Sequence, residues 1–401
     1  MTKIDRAKEH YLKCVMPLEY LNLMECEEEI KNIGWTLGNA CPYNCKHCYS
    51  LSARERGCDL TKDMINHVIK QLSKLKVNTI NLGGNEPLFT NGINPRSTLL
   101  PYIIRRLIEE GYKVGLTTSG ITAIYLEKYY NEEFLFLNDI DISIDSPFED
   151  EHNKNRGNNI FHFAIEALEL CKKYKKESTI ILCAMCWNFT QDRITALVDL
   201  ARKYEANIRI NPIKPVEAKH MKETLSLEQY YEGFNLLLKL CDVLDMTEPT
   251  LAGISKLKNA KRCPCGRTSF RIHSITPDGR IPISPCVYLH DYKVGDLLKD
   301  DICDLIQSEQ FKAFRRRNKN PESIEGCKGC ELINICGGGC AARAYLYNLH
   351  NSGKRTLFIK DPMCPKERDF SNLYFEKNPI IKTERDLVHI DYLCTWIGKP
   401  K

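Results

Sequence analysis

The cysteines are the residues of this sequence whose number and spacing point most directly to chemistry. The chain of 401 residues contains 20 cysteines, and a chain of this size does not need them as the disulfide staples of small secreted domains. Cys41, Cys45 and Cys48 form the densest group, with the spacing C-x3-C-x2-C. Three thiolates are one fewer than an ordinary iron-sulfur cluster or structural zinc site uses, so a cluster held here would keep one iron open.

A second group of cysteines lies between Arg262 and Cys364. Its centre is a C-x2-C-x5-C-x3-C run from Cys327 to Cys340, with glycines at 337 to 339 that would let the backbone approach a bulky ligand. Four thiolates could also close a tetrahedral zinc site, and a zinc ribbon is therefore the alternative. The members of this group that could bind metal are Cys263, Cys265, Cys286, Cys327, Cys330, Cys336, Cys340 and Cys364.

The other nine cysteines are expected to pack as small buried hydrophobes. Among them, Cys183 and Cys186 form a C-x2-C pair, but they lie in a predicted strand, where an odd separation points two side chains to opposite faces. Joint metal binding by this pair is therefore not expected. The remaining members are Cys14, Cys26, Cys58, Cys171, Cys241, Cys303 and Cys394.

The elements that must position these thiols alternate between strand and helix patterns. Short apolar runs predict strands at residues 33–37, 79–82, 114–117, 140–144, 179–185 and 208–210. Amphipathic segments predict helices between them, at residues 62–75, 99–110, 123–130, 161–174 and 194–204. The alternation predicts a parallel sheet with right-handed crossovers, and periodicity leaves open whether that sheet curls into a barrel. The first cysteine group follows the first strand, at the edge where parallel sheets bind ligands.

The later part of the chain has a different pattern. A helix is predicted at residues 228–242. After it the regular patterns are short and turns are frequent, with a hairpin turn predicted at Thr276-Pro277-Asp278-Gly279. A helical pattern at residues 302–317 ends in three arginines, 315 to 317, which we interpret as a solvated helix face. Residues 365–401 are charged and weakly patterned, and they predict a surface tail or a final helix.

Composition excludes several classes of protein. The first ten residues carry charges and no apolar segment, so no secretory signal is expected, and the longest apolar stretch, residues 178–190, is too short to span a membrane. The net charge of +5, without a basic stripe interleaved with aromatic residues, argues against a nucleic-acid partner. These observations predict a cytoplasmic protein in a reducing compartment.

The cysteine loop after the first strand of a six-fold β/α repeat resembles the radical S-adenosylmethionine (SAM) enzymes, whose motif is C-x3-C-x-aromatic-C, with His47 here at the aromatic position. The resemblance implies a partial (β/α)6 TIM barrel in which Cys41, Cys45 and Cys48 bind three irons of a 4Fe-4S cluster and SAM binds the fourth. It also implies reductive cleavage of SAM to methionine and a 5'-deoxyadenosyl radical, which abstracts a substrate hydrogen.

Residues at successive predicted strand ends match this family in order. Gly83-Gly84-Asn85-Glu86-Pro87 is similar to the family's Gly-Gly-Glu-Pro element, which holds the SAM ammonium, with Asn85 intervening before Glu86. The following strand ends carry polar groups where the family contacts the methionyl part and the ribose, and an arginine after them could pair with a cofactor or substrate carboxylate or lie on the surface. The cofactor-binding residues implied are His47, Gly84, Glu86, Ser119, Ser143, Asp145 and Arg156.

The second cysteine group resembles the SPASM domain of radical peptide and protein maturases, which carries two auxiliary 4Fe-4S clusters. The resemblance implies that Cys286 and Cys340, with Cys263, Cys265 or both, bind the first auxiliary cluster. If only one of Cys263 and Cys265, a tight pair separated by a single residue, binds iron, that cluster keeps an open iron. The ligands implied for the second cluster are Cys327, Cys330, Cys336 and Cys364.

These resemblances predict four segments: a helical lead-in at 1–30, a radical SAM partial barrel at 31–245, a smaller cysteine-rich SPASM domain at 246–370 and a C-terminal tail at 371–401. The predicted function is modification of a peptide or protein, as a RiPP maturase, by crosslinking, thioether formation, epimerisation or side-chain oxidation. Such an enzyme takes electrons from a reducing partner such as flavodoxin or ferredoxin. The sequence does not identify a catalytic acid or base.

Three alternatives stay open at this stage. Two are radical enzymes, a sulfatase-type maturase that forms formylglycine and a small-molecule dehydrogenase. In the sulfatase-type group an aspartate follows the cysteine after the hairpin, whereas Val287 follows Cys286 here. The third alternative is of another class, an iron-sulfur carrier or zinc-binding protein without radical chemistry.

Overall fold

The computed structural model describes residues 30–50, 56–255, 262–367 and 387–401. Its centre is a row of six parallel strands that pair in chain order. Each predicted strand is confirmed, with bounds that differ from the prediction by at most two residues. The strands are β1 Asn32–Thr36, β2 Thr79–Gly83, β3 Lys113–Thr118, β4 Asp139–Ser143, β5 Glu177–Ala184 and β6 Asn207–Pro212.

Helices join these strands and follow the last of them. They are α1 Lys62–Leu72, α2 Leu100–Glu109, α3 Ile121–Tyr129, α4 Asn131–Phe136, α5 Glu149–Arg156, α6 Phe161–Lys173, α7 Gln191–Tyr204 and α8 Leu227–Leu240. The five predicted helices between strands are confirmed. Helix α5 was not predicted because its sequence, EDEHNKNR, is polar throughout and has no apolar stripe. No helix among the described residues is long and apolar enough to cross a membrane.

The central strands have one apolar face and one polar face. Ile80 and Leu82 of β2 are fully buried in the main hydrophobic core. Asn81 and Gly83, which alternate with them along the strand, line a cavity on the other face. Because strand side chains alternate, one face packs against helices and the other surrounds the cavity. The sheet is therefore the partly open barrel that the family resemblance implies.

The cysteine-rich region extends the sheet at the β1 edge. The elements after α8 are β7 Cys241–Met246, α9 Pro249–Ser255, β8 Ser269–Ile272, β9 Ile283–Ser284, α10 Ile302–Leu305, α11 Glu309–Lys319, α12 Ile333–Cys336 and α13 Ala341–Ser352. Strand β7 and helix α9 precede the cysteine-rich region, and β7 lies at the opposite end of the sheet. Strand β8 pairs parallel to β1, and β9 pairs antiparallel to β8. The predicted hairpin turn lies between β8 and β9, with Gly279 at φ 82°.

Two helix predictions in this region need correction. The helix predicted at 228–242 ends at Leu240, since Cys241 begins β7. The helix predicted at 302–317 is two helices, α10 and α11, because residues 306–308 form a turn between them. The solvated-face interpretation is wrong for Arg317, which is buried and donates from Nη2 to the Gly338 carbonyl at 2.7 Å.

The predicted surface tail is also wrong over residues 387–401, named here the C-terminal segment. It ends in strand β10, Trp396–Pro400, which pairs antiparallel with both β6 and β7. Trp396 and Ile397 are completely buried. The strand order is therefore β7-β10-β6-β5-β4-β3-β2-β1-β8-β9. Residues 368–386, and residues 1–29 of the lead-in predicted at 1–30, lie outside the described residues.

The first half of the C-terminal segment covers the inner face of the sheet near the amino-terminal ends of its strands. Val388 packs against Gly115, where a side chain on the glycine would meet Val388 Cβ at 3.0 Å. His389 lies between two buried carboxylates, with Nδ1 3.0 Å from Asp139 Oδ2 and Nε2 3.1 Å from Asp141 Oδ2. Burial raises the pKa of Asp139 to about 7 and lowers that of His389 to about 3. The segment thus forms the floor of the barrel.

Candidate active site and thiol clusters

The first three candidate ligands lie on the loop that follows β1. Asn39 anchors this loop, because its Nδ2 donates to the Cys58 carbonyl at 2.8 Å and to Asp59 Oδ1 at 2.9 Å. Its Oδ1 accepts from the Gly92 backbone N–H at 2.8 Å. The loop forms no regular helix. One buried amide therefore joins the loop to the chain that follows β2 and fixes where the thiols lie.

Cys41, Cys45 and Cys48 are half-buried free thiols that face one cavity. Burial raises the pKa of the Cys41 thiol to about 12 and that of Cys45 to about 11. For these two thiols burial outweighs the contacts that favour ionisation, which are the Tyr43 backbone beside Cys41 and the Arg156 charge beside Cys45. Three adjacent soft donors facing an open volume form a set that fits iron, which stabilises the thiolate form when it binds.

The cavity lies at the carboxyl ends of the parallel strands and opens to solvent, and its space, counted together with that solvent, is about 1260 Å³. The structure brings all seven predicted cofactor-binding residues to its wall, together with the three thiols of the loop. These residues are His47, Gly84, Glu86, Ser119, Ser143, Asp145 and Arg156. Their contacts with a cofactor stay predictions, but their common location follows from the parallel register of the strands.

Asp145 and Arg156 form a buried, two-pronged ion pair on this wall. Arg156 Nε lies 2.6 Å from Asp145 Oδ2, and Arg156 Nη2 lies 2.9 Å from Oδ1. Burial opposes ionisation of Asp145, but the charges of Arg156 and His47 lower its pKa below its usual range. Arg156 Nη1 also reaches Cys45 Sγ at 3.9 Å. Arg156 is therefore not a surface residue, and it links the cysteine loop to the end of β4.

Replacing Arg156 by methionine is expected to destabilise the protein by about 3 to 5 kcal/mol, because Asp145 would remain buried without its partner. Urea unfolding of the variant and the parent measures this loss. The matched control is the double variant Asp145→Asn/Arg156→Met, which removes both charges and should recover much of the stability. If the variant Arg156→Met alone were as stable as the parent, the ion pair between Asp145 and Arg156 would not stabilise this part of the cavity.

Glu86 already has protein partners for both of its carboxylate oxygens. It accepts from the hydroxyls of Thr118 and Thr122 and from the Ser119 backbone N–H, the last at 2.9 Å. Its neighbour Asn85 has a positive φ of 54°, and Asn85 Oδ1 is buried without a hydrogen-bond partner among the described residues. The Gly-Gly-Asn-Glu element thus uses its acid to fix the end of β3, while Asn85 lines the cavity with an amide oxygen that has no partner among the described residues.

Gly84 of this element needs to be glycine. Its φ is 70°, and a side chain on it would meet Thr36 Oγ1 at 2.5 Å. Left-handed backbone and a close neighbour both exclude other residues here.

The cavity is also lined by side chains that the sequence patterns did not single out. They are basic, aromatic or polar and come from the loop, from β6 and the residues just after it, from β8, from the region after Cys286 and from the C-terminal segment. The Lys214 ammonium lies 5.1 Å from the centre of the Tyr288 ring, and the Arg271 guanidinium lies 3.8 Å from the centre of the Tyr392 ring. These residues are Tyr49, Arg209, Lys214, Arg271, Tyr288 and Tyr392.

The four cysteines predicted for the first auxiliary cluster lie together. Cys263, Cys265, Cys286 and Cys340 belong to one buried cluster of side chains behind the cavity. Cys394, which was predicted to serve only as packing, belongs to the same cluster. Other cysteines of the packing group differ as well, since Cys58 and Cys303 are exposed and Cys183 lines the large cavity, while Cys14 and Cys26 lie outside the described residues.

The four cysteines predicted for the second auxiliary cluster line a second, smaller cavity, together with Asp361 and other residues. Asp361 positions the chain here, because it accepts from the Cys340 N–H at 2.6 Å and from the Met363 N–H at 2.9 Å. A side chain on Gly339 would meet Asp361 Cβ at 2.2 Å, which explains one of the three glycines. The four cysteines are Cys327, Cys330, Cys336 and Cys364.

Arg317 provides a separate check of whether these sites fit an anionic cofactor. Its Nε and Nη1 are buried and have no hydrogen-bond partner among the described residues. Burial lowers the pKa of Arg317, while nearby groups that include the thiols of Cys263, Cys340 and Cys327 act in the opposite direction. Iron-sulfur clusters bound by cysteines are negatively charged, and their sulfur atoms accept hydrogen bonds. A cluster beside Arg317 would therefore give its free N–H groups a partner. The donor sets of both auxiliary sites and this cation therefore fit the clusters.

Comparisons with known proteins agree with this geometry. The profile described as the radical SAM superfamily matches residues 35–201, and that described as the SPASM iron-sulfur cluster-binding domain matches residues 263–331. An uncharacterized protein of Archaeoglobus fulgidus is 24% identical over 363 residues, 86% of this chain and 81% of that one. The mycofactocin maturase MftC of Mycolicibacterium smegmatis is 24% identical over 341 residues, 82% of this chain and 81% of the relative.

Solved structures share the fold. SuiB of Streptococcus suis, bound to its precursor peptide SuiA, has a TM-score of 0.59 at 14% identity and covers 86% of this chain and 78% of its own. The structure of anSMEcpe with bound AdoMet has a TM-score of 0.61 at 17% identity and covers 86% of this chain and 97% of its own. With its profile matches, its strand-end cavity and its three thiol groups, the chain belongs to the radical SAM superfamily and is a radical SAM enzyme with a SPASM domain that uses SAM and 4Fe-4S clusters.

Proposed function

We propose that this enzyme modifies a peptide or protein substrate at a carbon-hydrogen bond held in the large cavity. The observation that carries the proposal is the lining of that cavity. The cavity is lined by two chemically different sets of residues, the candidate cluster ligands and cofactor contacts on the one hand and basic and aromatic side chains on the other. Ligand sites typically combine aromatic side chains with a few polar or charged groups that orient the ligand. The second set therefore provides groups that could contact a substrate beside the cofactor.

In the first set of lining residues, Cys41, Cys45 and Cys48 would hold three irons of the cluster. When bound, the cluster and SAM supply a 5'-deoxyadenosyl radical for hydrogen abstraction. Asn85 Oδ1, which has no partner among the described residues, would accept from the SAM ammonium, while Glu86 holds the end of β3 in place. This division of roles accounts for the extra asparagine in the Gly-Gly-Asn-Glu-Pro element.

In the second set of lining residues, Lys214 and Arg271 would orient carbonyl or carboxylate groups, and Tyr288 and Tyr392 would pack against an apolar side chain and exclude water. Both tyrosines are almost fully buried. A peptide is the substrate class that presents carbonyls and side chains together. The relatives named mycofactocin maturase and the neighbour bound to its precursor peptide support this class.

The test begins with the protein reconstituted anaerobically with iron and sulfide. We expect about twelve irons per chain, from three 4Fe-4S clusters, and formation of 5'-deoxyadenosine and methionine when SAM and dithionite are added. Flavodoxin or ferredoxin should replace dithionite as the electron donor. Co-expression with small peptides, followed by mass spectrometry, should then reveal a peptide whose mass changes only with the active enzyme.

The same experiment separates the alternatives. Zinc in place of iron, or no SAM cleavage, would rule out radical chemistry and favour a metal-binding or carrier protein. SAM cleavage that is stimulated by a small molecule, with no peptide changed, would favour a dehydrogenase.

One residue of the cavity argues against the alternative that this enzyme is a formylglycine-forming maturase. The position after Cys286, where that group has an aspartate, is Val287, which lines the cavity here. An isopropyl group cannot accept a proton, so the base of that reaction has no counterpart at this position.

A further inference from the structure

Cys394 lies where a metal ligand would lie, although nothing in its local sequence shows a ligand motif. It belongs to the C-terminal segment, two residues before β10, and it is almost fully buried. Its Sγ and those of Cys263 and Cys265 all lie within 4.8 Å of one another. These three thiols come from regions about 130 residues apart in the chain, and the fold alone brings them together.

A fourth thiol joins this group. The Cys394 thiol forms hydrogen bonds with the thiols of Cys263, Cys265 and Cys340. The side chain of Cys394 therefore contacts candidate ligands from both ends of the SPASM cysteine pattern.

The backbone on both sides of Cys394 is fixed by contacts that do not involve the thiols. Thr247 donates from its N–H to the Thr395 carbonyl at 3.0 Å and from Oγ1 to the Leu393 carbonyl at 2.7 Å. The Tyr392 carbonyl accepts from Ser269 Oγ at 2.8 Å. The end of β7 and the start of β8 therefore hold the segment so that Cys394 stays beside the other thiols.

Packing alone is a poor explanation for this location. Cys171 and Cys241, which are also completely buried, pack in the main core among aliphatic and aromatic side chains. Cys394 instead packs in a cluster that contains four candidate ligands. It is thus chemically unlike the buried cysteines with which the sequence pattern grouped it.

We propose that Cys394 is a protein ligand of the first auxiliary 4Fe-4S cluster, and that this cluster has four thiolate ligands and no iron open to substrate. Five thiols, those of Cys263, Cys265, Cys286, Cys340 and Cys394, are then available for four positions. A single ligand from the tight pair is sufficient to complete the set, because Cys394 supplies the missing thiolate. The proposal concerns cluster ligation and holds whichever substrate the enzyme modifies.

The test uses the full chain with Cys41, Cys45 and Cys48 replaced by alanine, so that only auxiliary clusters contribute iron and spectra. This protein should bind about eight irons, from two 4Fe-4S clusters. Adding Cys394→Ala should lower the iron content about twofold or produce the electron paramagnetic resonance signal of an oxidised three-iron cluster. Adding Cys394→Ser should keep the iron but shift the reduction potential of one cluster, because an oxygen ligand replaces sulfur. An iron content and spectrum unchanged by both substitutions would overturn the proposal.

The matched control is Cys241→Ala in the same background. Cys241 is a completely buried cysteine in β7, paired with the end of β10, so its loss disturbs the same strand without touching the thiol cluster. We expect its iron content and spectra to match those of the background. If Cys241→Ala lost the same iron as Cys394→Ala, the effect would come from displacement of β10 and the assignment would be wrong. Because no peptide is used, failure of the proposed peptide activity leaves this result unaffected.

Discussion

Replacing Cys41, Cys45 and Cys48 together by alanine is expected to abolish formation of 5'-deoxyadenosine while leaving about eight of about twelve irons per chain, since one of three 4Fe-4S clusters is lost. The three thiols lie on one loop at one cavity, whereas the auxiliary thiols lie in two other clusters of side chains. No remaining thiolate on that loop could hold the iron to which SAM binds. Iron analysis and chromatography of the SAM cleavage products measure both effects.

The control for this prediction is Cys58→Ala. Cys58 is an exposed cysteine close to the same loop, and its replacement should preserve both iron and SAM cleavage. A triple variant that still cleaves SAM, or one that loses all of its iron, would contradict the assignment of these three thiols to a separate cluster.

Ending the chain after residue 386 is expected to prevent accumulation of folded protein. This truncation removes β10, which is the only strand that joins β7 to β6 in the described sheet. It also removes Trp396 and Ile397, both completely buried. Loss of a buried tryptophan side chain alone costs about 3 to 5 kcal/mol, against a total stability of about 5 to 15 kcal/mol for a typical domain. Soluble yield and limited proteolysis provide the measurement.

Two point variants make this prediction sharper. Trp396→Ala should reproduce much of the instability, because it opens a cavity between the sheet and α8, where the Trp396 ring packs 6.3 Å from that of Phe234. Lys399→Ala, in the same strand but at an exposed position, should express and unfold like the parent. A truncated chain with normal yield and protease resistance would show that β10 does not complete the fold.

The repeating part of the fold could be predicted from the sequence, because its signals are local. Each strand from β1 to β6 is an apolar run bounded by polar residues, and each intervening helix except α4 and α5 has an apolar stripe. The cysteine spacing placed the candidate ligands, and the strand-end residues from Gly84 to Arg156 meet at one cavity because parallel strands end at one edge. Residues that are far apart in sequence therefore form one site, because the strands of the repeat are parallel and neighbouring.

The remaining features depend on contacts between distant residues, which a single sequence does not show. The apolar run around Trp396, residues 392–398, is short and lies in a C-terminal region that is otherwise charged, and only pairing with β6 and β7 defines it as a strand. Arg317 looks like part of a solvated triplet, but it is buried beside two thiol clusters. Cys394 has no neighbouring cysteine in sequence, so spacing could not associate it with Cys263 and Cys265.

The hydrogen-bonded sheet has a consequence for how the protein unfolds. Strand β8 comes from the cysteine-rich region and covers the edge of β1, while β10 comes from the C-terminal segment and covers the edge of β6. The β/α repeat by itself would therefore expose both of its edge strands, which invites aggregation. The regions matched by the two family profiles are separate in sequence but share one sheet, so we expect a single cooperative unfolding transition. We also expect slow folding, because the sheet is complete only when β10, which is distant in sequence, has paired with β6.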